Sequence, residues 1–215
     1  SLSWDGQDHI ARLARYFKDK SGVFPKYLRS WLIGSVVRLF RNGEQNRVLV
    51  LDGEQNVGKS FFVRWLAQGL MDFYIEGRID PENKDHDLRL IDKFIWEVPE
   101  LGAVTRKIDR EALKYFISKQ WVDARAPYGK FSLHKPALAN FIATVNNENG
   151  FLNDPTGSRR FMVTTLTSID WDYATNVDVK QIWAQAYELF KRGETGQLKG
   201  DDYIEAELLN AEYKT

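Results

Sequence analysis

Residues 49–66 read LVLDGEQNVGKSFFVRWL. Leu49–Leu51 belong to a short continuous apolar run, the pattern of a strand buried on both faces in a parallel sheet. The run ends at Asp52, and the spacing that follows is Gly53-x-x-x-x-Gly58-Lys59-Ser60. Beyond it, KSFFVRWLAQGL has apolar residues spaced for a helix packed on a sheet, ending near Gly69. Strand, glycine-bearing loop and helix in that order are the context a phosphate-binding loop requires. The residue types follow from the chemistry. Glycines let the backbone wrap closely around an anion with its N–H groups turned inward, and the helix offers its positive N-terminal end. Lys59 is then placed to reach the β and γ phosphates, and Ser60 to hold Mg2+. The candidate nucleotide contacts are Gly53, Glu54, Gln55, Asn56, Val57, Gly58, Lys59, Ser60 and Phe61, with ATP and Mg2+ as the implied ligand and ion.

Working outward, the N-terminal side reads as helical. Ile10, Leu13, Ala14 and Phe17 fall at i, i+3, i+4 and i+7, SGVFP breaks that pattern, and YLRSWLIGSVVRLF forms a second apolar run closed by RNGEQNR. Residues 1–45 are therefore expected to form a small helical cap before a core spanning 46–193. On the other side, residues 72–93 are charged and irregular, with DPENKDHD as a loop. KFIWEVPEL supplies a second buried strand that runs into Pro99. DREALKYFI reads as a helix with Asp109 as N-cap. NFIATVNN and RRFMVTTL are further strands, and VKQIWAQAYELFKRG is an amphipathic helix with a glycine stop. Residues 194–215 are acidic and weakly patterned, a helix or a frayed tail. Strands alternating with helices predict an α/β fold with a largely parallel central sheet in a three-layer arrangement.

Composition bounds the partners. The 215 residues, 43% of them hydrophobic, supply one sizeable core and fall short of two independent domains. Lys plus Arg and Asp plus Glu number 30 each, so no global charge points to nucleic acid or to a membrane. The sequence has no Cys, which excludes disulfides and thiolate metal sites and makes a cytoplasmic setting the expectation. No run approaches a membrane span and nothing at the N-terminus resembles a signal peptide, so no membrane partner is expected. The opening SLSWDG lacks Met, as in a fragment excised from something longer. His9, His86 and His134 share no metal-ligand spacing.

Further residues distinguish among phosphate-loop proteins. Glu97 stands at the end of an apolar strand and Glu100 just beyond Pro99, where one carboxylate can join the Mg2+ shell and the other orient an attacking water. Spacing does not say which does which, although Glu97 is the candidate metal ligand. Asn146 ends another buried strand, where an amide can contact the γ-phosphate or the water; the same residue type is routine turn chemistry. Arg159 and Arg160 follow an Asp-Pro-x-Gly turn, and either can stabilise charge on a phosphoryl group held by a neighbouring subunit.

Taken in order, GEQNVGKS, WEVPEL, LKYFI, DARAPYGK and ATVNNENGFLNDPTGSRRF resemble the virulence-associated E family of phage- and plasmid-type replication proteins. That family is a branch of the superfamily 3 helicases in the AAA+ class, and the resemblance runs from about Trp31 to Phe161. It implies an ATP-driven motor that encircles DNA as a homo-oligomeric ring, a hexamer, with each ATP site between two subunits. Lys59 and Ser60 would bind phosphate and Mg2+, Glu97 and Glu100 would form the acidic motif, Asn146 the first sensor, and Arg159 or Arg160 the finger. The segment ARAPYGKFSLHK occupies the place of a pore hairpin, with Arg125, Lys130, His134 and Lys135 as candidate DNA contacts and Tyr128 and Phe131 interleaved. Cations neutralise phosphates and aromatic faces stack on bases, which suits single-stranded DNA. The implied setting is replication of a mobile element, with a primase or other replication module elsewhere in the full-length protein. Asn56 departs from the family's glycine but tolerates left-handed backbone. Two other readings remain: an ATP-gated DNA-binding scaffold or loader without unwinding, and a small-molecule kinase, for which neither a basic lid nor an acceptor pocket is visible.

Overall fold

In a computed structural model of the chain, which describes residues 3–101, 107–125, 132–146 and 158–213, period-two alternation of apolar side chains divides the core between two faces of a sheet. In β2 (Val48–Asp52) Leu49 and Leu51 enter one cluster while Val48 and Val50 enter the other. β7 (Asn140–Thr144) and β8 (Phe161–Ile169) alternate in the same way: Ile142, Met162 and Leu166 face one side, Phe141, Ala143, Phe161 and Val163 the other. β4 (Ile95–Val98) puts Ile95 on the first side and Trp96 with Val98 on the second. Such strands read as unbroken apolar runs because both faces are covered.

Two more strands complete the sheet, β1 (Phe17–Asp19) and β3 (Tyr74–Glu76), and the order is β1-β8-β2-β7-β4-β3. β3, β4, β7, β2 and β8 are parallel, and β1 joins antiparallel at the edge, Phe17 opposite Ile169. One face is covered by α1 (His9–Ala14), α2 (Phe24–Phe40), α3 (Lys59–Leu66) and α7 (Val179–Lys191), the last following the short α6 (Tyr173–Asn176). The other face is covered by α4 (Lys84–Asp92) and α5 (Lys107–Ile117), and α8 (Asp201–Glu212) packs against β8. An antiparallel hairpin, β5 (Trp121–Arg125) with β6 (Ser132–Pro136), forms a separate two-stranded sheet. The expected α/β class with a largely parallel sheet is what the chain adopts.

Several local expectations give way to tertiary context. Phe17, read as the next helical turn, begins strand β1, because the free edge of β8 offers a hydrogen-bonding partner. Its ring stacks on Phe24 at 4.6 Å and meets Phe62 at 4.7 Å. Asp19 then accepts from the backbone N–H groups of Val23 and Phe24 and so starts α2. Residues 1–45, read as a cap, thus contribute a strand to the sheet and side chains to the central core. The Trp31 indole N–H, for example, donates to the carbonyl of Phe141 in β7 at 2.9 Å. The irregular stretch 72–93 holds β3 and α4. α4 buries only His86 and Leu90, which leaves too thin an apolar stripe to read, and its N-cap is Asn83, which accepts from the Asp85 N–H at 2.9 Å. Asp109 lies inside α5 and does not cap it. The C-terminal segment is helical at α8.

Candidate active site

The strand order decides which loops meet. β2 lies between β8 and β7, and β4 lies beyond β7, so everything that follows these four strands gathers at one edge of the sheet, where ligands of parallel α/β sheets bind. A cleft of about 450 Å³ opens there. Its floor is the loop after β2 from Gln55 to Phe61. One flank carries Pro99 and Glu100 after β4 with Thr144 and Asn146 of the β7 end, and the opposite flank carries Trp171 after β8.

The loop has the backbone its glycines were expected to supply. Gly53 has φ +139° and Gly58 φ +109°, and Asn56 occupies the left-handed region at φ +68°. A Cβ at Gly53 would come within 2.4 Å of the Leu166 carbonyl oxygen, so only glycine lets the loop leave β2 so close to β8. Lys59, the first residue of α3, is buried, and its ammonium donates to the carbonyls of Gly53 and Glu54 at 2.7 Å each. Burial lowers the Lys59 pKa and the nearby Asp52 carboxylate opposes that shift. Asp52 in turn accepts from the Thr165 hydroxyl at 3.0 Å, tying the loop's root to β8.

Glu97 is fully buried in β4. Its Oε2 accepts from the Tyr74 hydroxyl of β3 at 2.5 Å, while Oε1 has no hydrogen bond of good geometry among the described residues, the nearby Ser60 hydroxyl giving only a weak one to the carboxylate. Burial pushes its pKa up, and the hydroxyls of Ser60 and Tyr74 pull against that shift. A dry carboxylate with one oxygen only weakly engaged, beside a serine hydroxyl at a helix start, fits a hard divalent cation that takes one or two protein oxygens and completes its shell with phosphate and water. The residues that would hold Mg2+ are therefore Ser60 and Glu97. Glu100 differs in kind: it is exposed, at φ +50°, and paired with Arg78 at 2.5 Å on the rim of the cleft. Asn146 is exposed and lines the same cleft.

Arg159 and Arg160 are elsewhere. They form a 3-10 turn immediately before β8, at the end of the sheet opposite the phosphate loop. Phe161 pairs with Val48 and Thr165 with Asp52, so the strand separates the arginines from the loop by about 16 Å at ~3.3 Å per residue. They line a second cleft, of about 510 Å³, together with Arg47 and Ser118. Arg159 is exposed, and the half-buried Arg160 donates through Nε to the Ser118 hydroxyl at 2.6 Å.

These parts and their order place the chain. The model of the virulence-associated protein E-like domain matches residues 1–215. The chain belongs to that family. A comparison with curated proteins gives no match. Among solved structures, the virulence-associated E-like chain is similar to the C-terminal region of NrS-1 in three determinations. The TM-scores are 0.54, 0.56 and 0.53 at 16%, 14% and 15% identity, over 94%, 95% and 95% of this chain. At that identity the likeness is one of fold. The chain spans about half of those structures, 51% of each.

The candidate DNA contacts fall on the hairpin. His134 is exposed in β6, its Nδ1 is 2.8 Å from the Asp123 carboxylate, and its ring stacks on Trp121 at 4.9 Å and 4°. These two neighbours, unseen in the sequence reading, hold the imidazole against the hairpin itself. Lys135 is exposed on β6 opposite Val122, and Arg125 ends β5. Lys130, Tyr128 and Phe131 lie outside the described residues. Two site residues escaped the sequence reading altogether. Tyr74 sits in a three-residue strand within a stretch read as irregular, where the only signal was the apolar pair Tyr74–Ile75 before Gly77. Trp171 follows a strand end with no motif around it. Among the described residues no helix is long and apolar enough to cross a membrane.

Proposed function

We propose that this chain is the ATPase core of a replication motor that works as a homo-oligomeric ring, a hexamer, on single-stranded DNA of a mobile element. The observation that carries the reading is the division of its parts between two edges. Lys59, Ser60, Glu100 and Asn146 line one cleft, with the buried Glu97 behind Ser60, whereas Arg159 and Arg160 stand at the other end of the strands. A phosphoryl-transfer site of this kind is complete when an arginine from a second copy enters the cleft. Arg159, exposed on its turn, is the better placed of the pair, since Arg160 is anchored to Ser118.

In this reading the loop N–H groups and Lys59 bind the phosphates, and Mg2+ when bound neutralises charge on the β and γ oxygens. Glu97, one oxygen fixed by Tyr74, would join Ser60 in holding that ion. Asn146 and Glu100 face the terminal phosphate from the β7 and β4 side and orient the water. Asn146 donates through its amide, and Glu100 accepts a proton from the water. Lys135, exposed on the hairpin, and Arg125 and Lys130 of the same segment would bind the phosphates of the strand. Membership in the virulence-associated E-like family and the likeness of fold to the C-terminal region of NrS-1 support this assignment.

The test is ATP hydrolysis with and without single-stranded DNA, beside Lys59→Ala, and particle mass with and without a non-hydrolysable ATP analogue. Stimulation by DNA that disappears in Lys59→Ala, together with nucleotide-dependent assembly, supports the motor. Hydrolysis indifferent to DNA, or a chain that stays monomeric while binding both ligands, replaces it with the ATP-gated scaffold. Undiminished hydrolysis by Lys59→Ala refutes the site.

A further inference from the structure

The phosphate loop, the acid and the amide account for one side of the cleft, and the other side is aromatic. Trp171 is 50% exposed and Phe61 44% exposed, although both rings are large and apolar. Their centroids lie 4.9 Å apart at 40°. The indole rests on the loop itself, since a Cβ at Gly58 would stand 2.9 Å from its Cζ2. The backbone that carries Trp171 is held firmly. The Asp170 N–H donates to the Tyr16 carbonyl at 2.7 Å, the Asp172 N–H to the Asp170 carboxylate at 3.0 Å, and Tyr173 is fully buried in the core.

The strand order gives this pair a direction. Trp171 follows β8 on one side of β2, whereas Asn146 and Glu97 belong to β7 and β4 on the other. A triphosphate lying across the loop with its terminal phosphate toward Glu97 and Asn146 brings its nucleoside end to the β8 side. The group waiting there is a half-exposed indole backed by a phenyl ring. The geometry points to Trp171, supported by Phe61, as the platform on which the nucleobase of the bound triphosphate stacks. This rests on the ATP-site reading above and adds how the base is held. Stacking uses the π-face that every base has, so the platform favours purines over pyrimidines by area and not by hydrogen-bond pattern.

The experiment compares binding of ATP, UTP and inorganic tripolyphosphate to the wild type, Trp171→Ala and Trp171→Phe, and follows the indole fluorescence of the wild type. Trp171→Ala is expected to lose roughly 5- to 150-fold in ATP affinity, the range for one stacked base, and less for UTP. Tripolyphosphate affinity should stay as in the wild type. Trp171→Phe should recover most of the ATP affinity. ATP, and not tripolyphosphate, should quench the wild-type indole, and Trp171→Phe should lose that quench. Equal loss of ATP and tripolyphosphate in Trp171→Ala makes the indole a mere support of the loop and overturns the proposal. So does unchanged ATP affinity. If the wild type binds tripolyphosphate as tightly as ATP, the phosphate site stands and the base platform falls. If it binds neither, the ATP reading falls first and the platform with it.

Discussion

Replacing Glu97 with glutamine separates what this carboxylate does for catalysis from what it costs the fold. Glu97 is fully buried, one oxygen is held by Tyr74, and the other has no hydrogen bond of good geometry among the described residues. Glu97→Gln would keep an acceptor for Tyr74 and remove the charge. A buried polar group left without its partner costs about 1–3 kcal/mol, and a charged one more. The variant should therefore gain on the order of 1–3 kcal/mol in nucleotide-free protein once the pH exceeds the folded pKa of Glu97. In a chain of this size that corresponds to a rise of about 2–12 °C in Tm. The sign against pH is fixed by the direction of the shift. Burial raises the folded pKa of Glu97 above the ordinary 4.5, so its contribution to wild-type stability is complete below pH 4.5 and lost as pH rises through the folded value. Glutamine does not titrate, so the advantage of the variant opens as pH rises and closes as it falls. Calorimetry of both proteins between about pH 5 and about pH 8 measures the gap. ATP turnover should fall about 100-fold or more, as when a group positioned for the reaction is lost. A variant that melts below the wild type at about pH 8, or that turns over ATP at the wild-type rate, would refute this account of Glu97.

Other consequences are as specific. Arg159→Ala should bind ATP with wild-type affinity and lose about 10³-fold or more in turnover. Mixed with wild-type subunits it should poison neighbouring sites, so activity that falls only in proportion to the mutant fraction counts against a site shared between copies. Lys130→Ala with Lys135→Ala should weaken single-stranded DNA binding and reduce its logarithmic salt slope by about 0.7 for each phosphate left without its lysine. Filter or anisotropy titrations at several salt concentrations read this directly, and ATP affinity should not change. Gly53→Ala places a methyl group 2.4 Å from the Leu166 carbonyl at φ +139°. Thermal melting should show a loss of about 2 kcal/mol or more together with weakened ATP binding, and an unperturbed melt would mean that the loop leaves β2 by another path.

What the sequence determined by itself is what lies within a few residues along the chain. Gly53, Gly58, Lys59 and Ser60 announce their loop because strand, turn and helix there are set by local backbone demands and an apolar run. Glu97 and Asn146 could be assigned to strand ends for the same reason, and the alternation of strand and helix was enough for the α/β class. Tertiary structure decided what depends on which elements become neighbours. Phe17 has a helical spacing and becomes an edge strand because β8 has an unfilled edge beside it. β3 and α4 bury too few side chains to show a period, yet β3 delivers Tyr74 to Glu97. Trp171 and Phe61 are far apart in the chain and meet because the ends of β8 and β2 are neighbours. Arg159 and Arg160 follow Asn146 closely in sequence, and the parallel strand between them and the loop carries them to the far edge of the sheet. That separation comes from the parallel direction of β2 and β8, a long-range pairing that no local pattern of residues encodes.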